Sequence, residues 1–271
     1  MPQTELPPVG LGTWQNTDPE QCVESVAAAL DMGYRHIDTA HYYGNEEDVG
    51  RGIAESDVDR EDITVATKVH AETTGLDYDG VVEGAELSCE RLGLDYLDLF
   101  YVHWPIFEYD PEETLSAFKD LKDEGVIEHV GLSNFTPEYL DDAIDALGEA
   151  PFALQMEMHP YCQQEDLLEY AQREDFWLVA YSPLARGNVF EDPVIGEIAE
   201  NHGVSEAQVS LAWLLSKENV RVIPKASSEA HIRDNLAATD LDLEEAELAR
   251  IDGIEKEERY VERDNSPWLE S

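Results

Sequence analysis

The chain has 271 residues, 42% of them hydrophobic, and sets 61 acidic residues against 17 basic ones, a formal net charge of −44. A surface of that sign repels nucleic acid and anionic membranes, so neither is expected as a partner. The acidity is spread along the chain instead of gathered in a tail, which excludes a disordered acidic arm.

Strand and helix patterns alternate. Residues 6–14 read as an N-terminal β-hairpin that plugs one end of the fold. Residues 21–32 carry apolar side chains at helical spacing (Val23, Val26, Ala27, Leu30), and Gly33 ends the run. A strand follows at 34–37, a short helix at 46–54 and a strand at 63–67. Residues 78–92 are helical and feed a strand at 96–102. The helix at 111–124 starts on Pro111 and stops at Gly125, before a strand at 127–132. Thr136, Pro137 and Glu138 open the next helix. A strand near 152–157, a helix near 163–173 and a strand at 177–181 come next. Two helices, near 193–202 and 205–217, precede strands at 220–223 and near 237–241. A helix at 243–252 completes the pattern.

Eight strand signals, most followed by a helix, imply a parallel sheet with helices outside. Right-handed crossovers leave an open doubly wound sheet or a closed barrel. Polar residues follow nearly every strand, as in a barrel, instead of marking one switch point. Gly10 and Gly12 are not completed into a dinucleotide fingerprint, because position 15 is Gln15. The expected fold is one (β/α)8 TIM barrel domain over 1–271, with an N-terminal β-hairpin and an extra helix before the last strands. Barrels of about 250 residues form one domain.

The charge carries a second expectation. So acidic a surface repels itself in dilute buffer, and molar salt cuts the screening length to roughly 3 Å. Adaptation to a salt-rich cytoplasm is predicted. Cys22, Cys89 and Cys162 are far apart and odd in number. They read as reduced cytoplasmic thiols, with neither a disulfide frame nor a metal site. Residues 1–5 lack the basic and apolar runs of a signal peptide, and no stretch of about 18 apolar residues marks a membrane span.

Four polar side chains stand where strands stop: Asp38, Tyr43, Lys68 and His103. An acid, a phenol, an ammonium and an imidazole can together move a proton near neutral pH. Lys68 beside Tyr43 is expected to favour the phenolate and bring its pKa towards working pH, with Asp38 pairing Lys68. Ser133, Asn134 and Gln155 could hold a carboxamide. Tyr181 could stack on a flat heterocycle, and the backbone of Ser182, Pro183 and Leu184 could hold phosphates. Lys225, Ala226 and Ser227 lead to a helix start that suits a terminal phosphate.

These stretches resemble the aldo-keto reductases. The matches include Gly10-Leu11-Gly12-Thr13-Trp14, Ile37-Asp38-Thr39-Ala40, Tyr42-Tyr43-Gly44-Asn45-Glu46, Thr67-Lys68 and His103-Trp104-Pro105. Gly131-Leu132-Ser133-Asn134-Phe135, Gln155-Met156-Glu157, Ala180-Tyr181-Ser182-Pro183-Leu184 and Ile223-Pro224-Lys225 follow in family order. The chain looks most similar to short prokaryotic members such as 2,5-diketo-D-gluconate reductases.

The resemblance implies carbonyl reduction by hydride from a nicotinamide. Tyr43 would be the proton donor and His103 would orient the carbonyl. Gly12 and Thr13 would lie along the cofactor, with Trp14 and Trp104 walling the substrate pocket. His231 and Ala226 replace the arginine and serine that many members use on the 2′-phosphate, while Asp234 and Asn235 would face the adenine. NADP(H) is the expected cofactor, with NAD(H) left open. A monomer acting on a small carbonyl substrate is implied. The alternative is a cofactor-binding regulatory subunit on the same barrel.

Overall fold

The structure is a computed structural model and describes residues 5–269. Eight strands pair in chain order, each parallel to the next. They are β1 (Leu11–Gly12), β2 (His36–Asp38), β3 (Thr64–Val69), β4 (Leu97–Val102), β5 (Ile127–Ser133), β6 (Ala153–Glu157), β7 (Trp177–Tyr181) and β8 (Val220–Val222). The sheet closes where the first strand meets the last. Val9 bridges Val222 and Gly12 bridges Lys225, both in parallel. Gly10 N donates to Val222 O at 2.8 Å, and Val222 N to Pro8 O at 3.0 Å. Glycine is required at this seam, because a Cβ on Gly12 would lie 2.7 Å from the Ile223 carbonyl oxygen. The fold is the (β/α)8 barrel.

The helices form the outer layer: α1 (Pro19–Asp31), α2 (Glu46–Glu55), α3 (Tyr78–Leu92), α4 (Pro111–Asp123), α5 (Pro137–Leu147), α6 (Glu165–Glu174), α7 (Pro193–His202), α8 (Glu206–Leu215), α9 (Glu229–Ala237) and α10 (Glu245–Asp252). Their starts are chemically marked. Asp18, Asp77, Asp110 and Ser205 each accept a backbone N–H three residues on, at 2.9–3.1 Å. Such caps satisfy donors that the first turn leaves unpaired. The pair α7 and α8 before β8 is the extra helix expected from the sequence.

Two sequence expectations are corrected. Residues 6–14 form no hairpin; Leu11–Gly12 is a parallel barrel strand between β2 and β8. Two glycines flanking Leu11 leave too short a pattern to name a partner. Plugging does hold for Leu6, which is buried with Leu99, Ala153 and Trp177 inside the barrel, its carbonyl taking a 2.6 Å hydrogen bond from Arg221 Nε. The strand expected near 237–241 is the end of α9 followed by a 3₁₀ turn at Ala238–Asp240. Ala237 and Ala238 are helix formers, and Ser228 caps α9 through His231 N.

Side chains alternate between two apolar layers. In β4, Leu99 and Tyr101 point into the barrel, while Phe100 faces outward and stacks on Phe118 of α4 at 5.1 Å. No helix among the described residues is long and apolar enough to cross a membrane.

Candidate active site

The period of two along a strand builds the site. The inward parity that places Ala66, Tyr101, Ala153 and Val179 in the barrel interior continues to Lys68, His103, Gln155 and Tyr181. His36 and Asp38 share a parity in the same way, as do Gly131 and Ser133. Polar residues at the top of strands otherwise filled by apolar ones therefore converge on one end of the barrel. The cavity there, about 180 Å³, is lined by Trp14, Asp38, Tyr43, His103, Trp104, Ser133, Asn134, Gln155, Tyr181 and Lys225, among others.

At its floor Lys68, fully buried, donates through Nζ to Asp38 Oδ1 and to the Thr39 carbonyl, each at 2.6 Å. Gln155 Nε2 donates to the other Asp38 oxygen at 2.7 Å. Two backbone and side-chain contacts from Thr13, both 3.0 Å to the Asp38 carbonyl, fix that strand end. Burial pulls the Lys68 ammonium below its ordinary range, against the pull of Asp38.

Tyr43 sits on a 3₁₀ turn (His41–Tyr43) that Gly44 ends in the left-handed region, φ 69°. Its ring centre is 5.3 Å from Lys68 Nζ, 4.8 Å from the Trp14 ring and 5.7 Å from His103. Amine, phenol and imidazole therefore share one pocket. The expected lowering of the phenol's pKa is corrected. Burial first, then the Asp38 charge, holds Tyr43 well above the usual phenol range. Lys68 is paired with Asp38, and Tyr43 keeps its proton near neutral pH.

His103 is buried, and burial followed by the Lys68 charge holds it well below the usual imidazole range. It is neutral near pH 7, with Nδ1 buried and without a hydrogen-bond partner among the described residues.

The other expected residues divide into two groups. Asn134, with φ 65°, donates to the His103 carbonyl at 2.9 Å and to Ser133 Oγ at 3.0 Å, and accepts from Tyr181 OH at 2.7 Å. Gly12 and Ser182 line the same cavity. Pro183, Leu184, Ala226, Ser227, His231, Asp234 and Asn235 do not line it. Lys225 Nζ reaches Ser227 Oγ at 3.2 Å. Asp234 instead ties α9 to α8, accepting from Ser205 Oγ and Gln208 Nε2 at 2.6 Å each. Asn235 and Ala226 are buried, and His231 is exposed.

Sequence reasoning missed Tyr42, Arg186, Val261 and Arg263, which also line the cavity. The Tyr42 ring lies 4.6 Å from His70 and 6.3 Å from His103. Arg263 comes from the C-terminal segment, whose Tyr260 and Val261 amides donate to the buried Glu157 carboxylate at 2.7 and 2.9 Å. Scarce basic residues were a usable signal for Arg186, which follows the Ser182-Pro183-Leu184 loop. Nothing local marked Arg263.

A family model described as "Aldo/keto reductase family" matches residues 8–256. The chain belongs to the aldo/keto reductase family. It is 42% identical over 255 residues to an aldo-keto reductase of Mycolicibacterium smegmatis, covering 94% of this chain and 91% of that one. It is 39% identical over 255 residues to the glyoxal reductase of Bacillus subtilis, with the same two coverages, 94% and 91%. A solved structure provisionally assigned as a 2,5-diketo-D-gluconic acid reductase B superposes with a TM-score of 0.91 at 31% identity, over 96% of this chain and 92% of that one. The resemblance drawn from the motifs, including its 2,5-diketo-D-gluconate branch, therefore holds.

Proposed function

We propose that this reductase converts an aldehyde or ketone to an alcohol with NADPH as preferred cofactor. The observation that carries the reading is the buried Lys68–Asp38 pair beneath Tyr43 and His103 in one cavity. Tyr43 donates its hydroxyl proton to the carbonyl oxygen, which a neutral phenol is suited to do. The uncharged imidazole of His103 orients that oxygen by a hydrogen bond. Lys68 supplies the positive field that stabilises charge as the phenol gives up its proton, and Asp38 keeps the amine aimed.

The donor set fits a nicotinamide cofactor: a half-buried Tyr181 ring for stacking, hydroxyl and amide groups at Ser133, Asn134 and Gln155, and cations at Arg186 and Lys225 for phosphates. A nicotinamide bound there supplies the hydride to the carbonyl carbon. Asn134 and Gln155 are engaged within the protein, on Tyr181 and Asp38. Carboxamide binding by either one requires it to exchange a partner. Lys225 is exposed and close to Ser227, which favours a 2′-phosphate and hence NADPH; equal efficiency with NADH would remove that preference.

Tyr43→Phe tests the reaction. Turnover of a generic aldehyde should fall about 10²- to 10⁴-fold, the usual worth of a general acid, while NADPH binding, read by fluorescence, persists. Near-normal turnover would take the donor role from Tyr43. The acidic composition supports operation in a salt-rich cytoplasm. Melting temperature should then climb between dilute buffer and molar KCl, and a flat response ends that reading.

A further inference from the structure

One buried phenol has no part in that chemistry. Tyr101, on β4, points into the barrel and is fully buried. It pairs in register with Lys68 on β3, and Lys68 Nζ lies 5.6 Å from its ring centre. On the other side it pairs with Gly131 on β5. The ring lies across that glycine, since a Cβ there would fall 2.3 Å from Tyr101 Cδ1. Gly131 has the same inward parity as Ser133, so the absence of a side chain at 131 makes room for the ring.

The hydroxyl at the end of this ring has no hydrogen-bond partner among the described residues. Buried polar groups are normally paired, and an orphan donor is costly. A phenylalanine would fill the same space without that cost. Burial first, then the Asp38 charge, holds Tyr101 well above the usual phenol range, so it keeps its proton and can donate it. The Gln155 amide pulls the other way, close by but not closed into a hydrogen bond. Tyr101 therefore stands beside both ends of the 2.7 Å bond from Gln155 Nε2 to Asp38 Oδ2. Lys68 is tied to the other oxygen, Oδ1. Asp38 is itself buried. Were Gln155 to turn away, Oδ2 would lose its side-chain donor in a dry site, and a buried carboxylate that loses a partner is strongly destabilised.

We propose that Tyr101 is the reserve donor for Asp38: when Gln155 releases Asp38 Oδ2 to bind a cofactor carboxamide, the Tyr101 hydroxyl takes its place on that oxygen. This rests on the cofactor reading of the same cavity. One hydrogen bond is given up and one is formed, so Asp38 keeps both oxygens satisfied and continues to aim Lys68. Tyr101 is a positioning residue and does not touch the substrate. The competing explanation is that Tyr101 only fills the space beside Gly131.

The test uses the full chain at one fixed KCl concentration. In the cofactor-free protein Tyr101→Phe removes an unpaired hydroxyl, so the midpoint of denaturant unfolding should hold or rise. The NADPH dissociation constant of the same variant, read by fluorescence, should increase roughly 10- to 100-fold, as for a lost hydrogen bond to a charged group. Adenosine 2′,5′-bisphosphate, which has no carboxamide, should bind variant and wild type equally. In a Gln155→Met background the hydroxyl is needed before any cofactor arrives, so adding Tyr101→Phe should lower the unfolding midpoint there. If Gln155→Met does not fold, the comparison of the two ligands decides. A lower midpoint for cofactor-free Tyr101→Phe, equal losses for NADPH and the bisphosphate, or no loss of stability in the Gln155→Met background overturns the inference. An unchanged NADPH constant in Tyr101→Phe also overturns it and, with wild-type turnover intact, leaves the reductase reading standing. If the wild type binds neither NADPH nor NADH, both fall.

Discussion

Two regions meet at this pocket and are built on different physical terms. The barrel rim carries Asp38, Lys68, His103 and Gln155 on strands or at their ends, with side chains almost wholly buried and hydrogen bonds of 2.6 and 2.7 Å joining Asp38 to Lys68 and to Gln155. The C-terminal segment reaches the same pocket from the far end of the chain. It is held by Glu157 beneath and by half-exposed contacts such as Arg263 to Glu72 above. Proton chemistry tolerates little displacement, and the proposed function rests Tyr43 and its partners on the rigid region. The C-terminal segment, with its replaceable contacts, is the part of the pocket wall better suited to adjust to a ligand.

The largest expected effect comes from damaging the rigid region. Lys68→Met leaves the Asp38 carboxylate buried with only Gln155 to oppose it. Removing one partner of a buried pair costs about 3–5 kcal/mol, so denaturant unfolding should shift by that order and turnover should fall with it. Adding Asp38→Asn should return much of the stability and none of the turnover. If Lys68→Met unfolds at the wild-type denaturant concentration, the rim is less rigid than its burial implies and the contrast between the regions fails.

The same contrast explains what the sequence disclosed. Rim residues were legible because strand periodicity is local: Lys68 follows Val65-Ala66-Thr67, and inward parity then needs no further information. Strand-end position and residue type sufficed to select Asp38, Lys68 and His103, and Tyr43 was picked from the loop that follows β2. The direction of the Tyr43 shift was not legible. It depends on whether burial and Asp38 outweigh Lys68, and that is settled by three-dimensional distances. Closure was misread at both ends of the chain. β1 is two residues long and has meaning only through β8, while 237–241 carries leucine and threonine but lies in helical and turn geometry. Arg263 was invisible for a related reason. Its neighbours Tyr42, His70 and Trp104 are more than 150 residues away in sequence, and no spacing rule spans that separation. On the adenine side the resemblance already departs at Ala226 and His231, and Asp234 shows the limit of such matching, since its carboxylate bridges α9 to the start of α8.

A smaller effect should follow from loosening the second region without touching the first. Glu157 is buried at the top of β6, accepts the Tyr260 and Val261 amides on separate oxygens, and lies 3.1 Å from His159 Nε2. Glu157→Gln keeps one acceptor and sets an amide N–H₂ against the other backbone N–H. A hydrogen bond to a charged group is worth about 1.5–3 kcal/mol, but here the loss falls on a terminal segment that can open by itself. Global unfolding should therefore move little, while the Tyr260 and Val261 amides exchange with deuterium about 10- to 100-fold faster. Because Val261 and Arg263 line the pocket and Tyr43 does not depend on them, substrate KM should rise with kcat largely held. A fall in kcat matching that of Lys68→Met would show that the segment shapes the proton-transfer geometry itself, and that the division between a rigid chemical rim and an adjustable recognition strap is drawn in the wrong place.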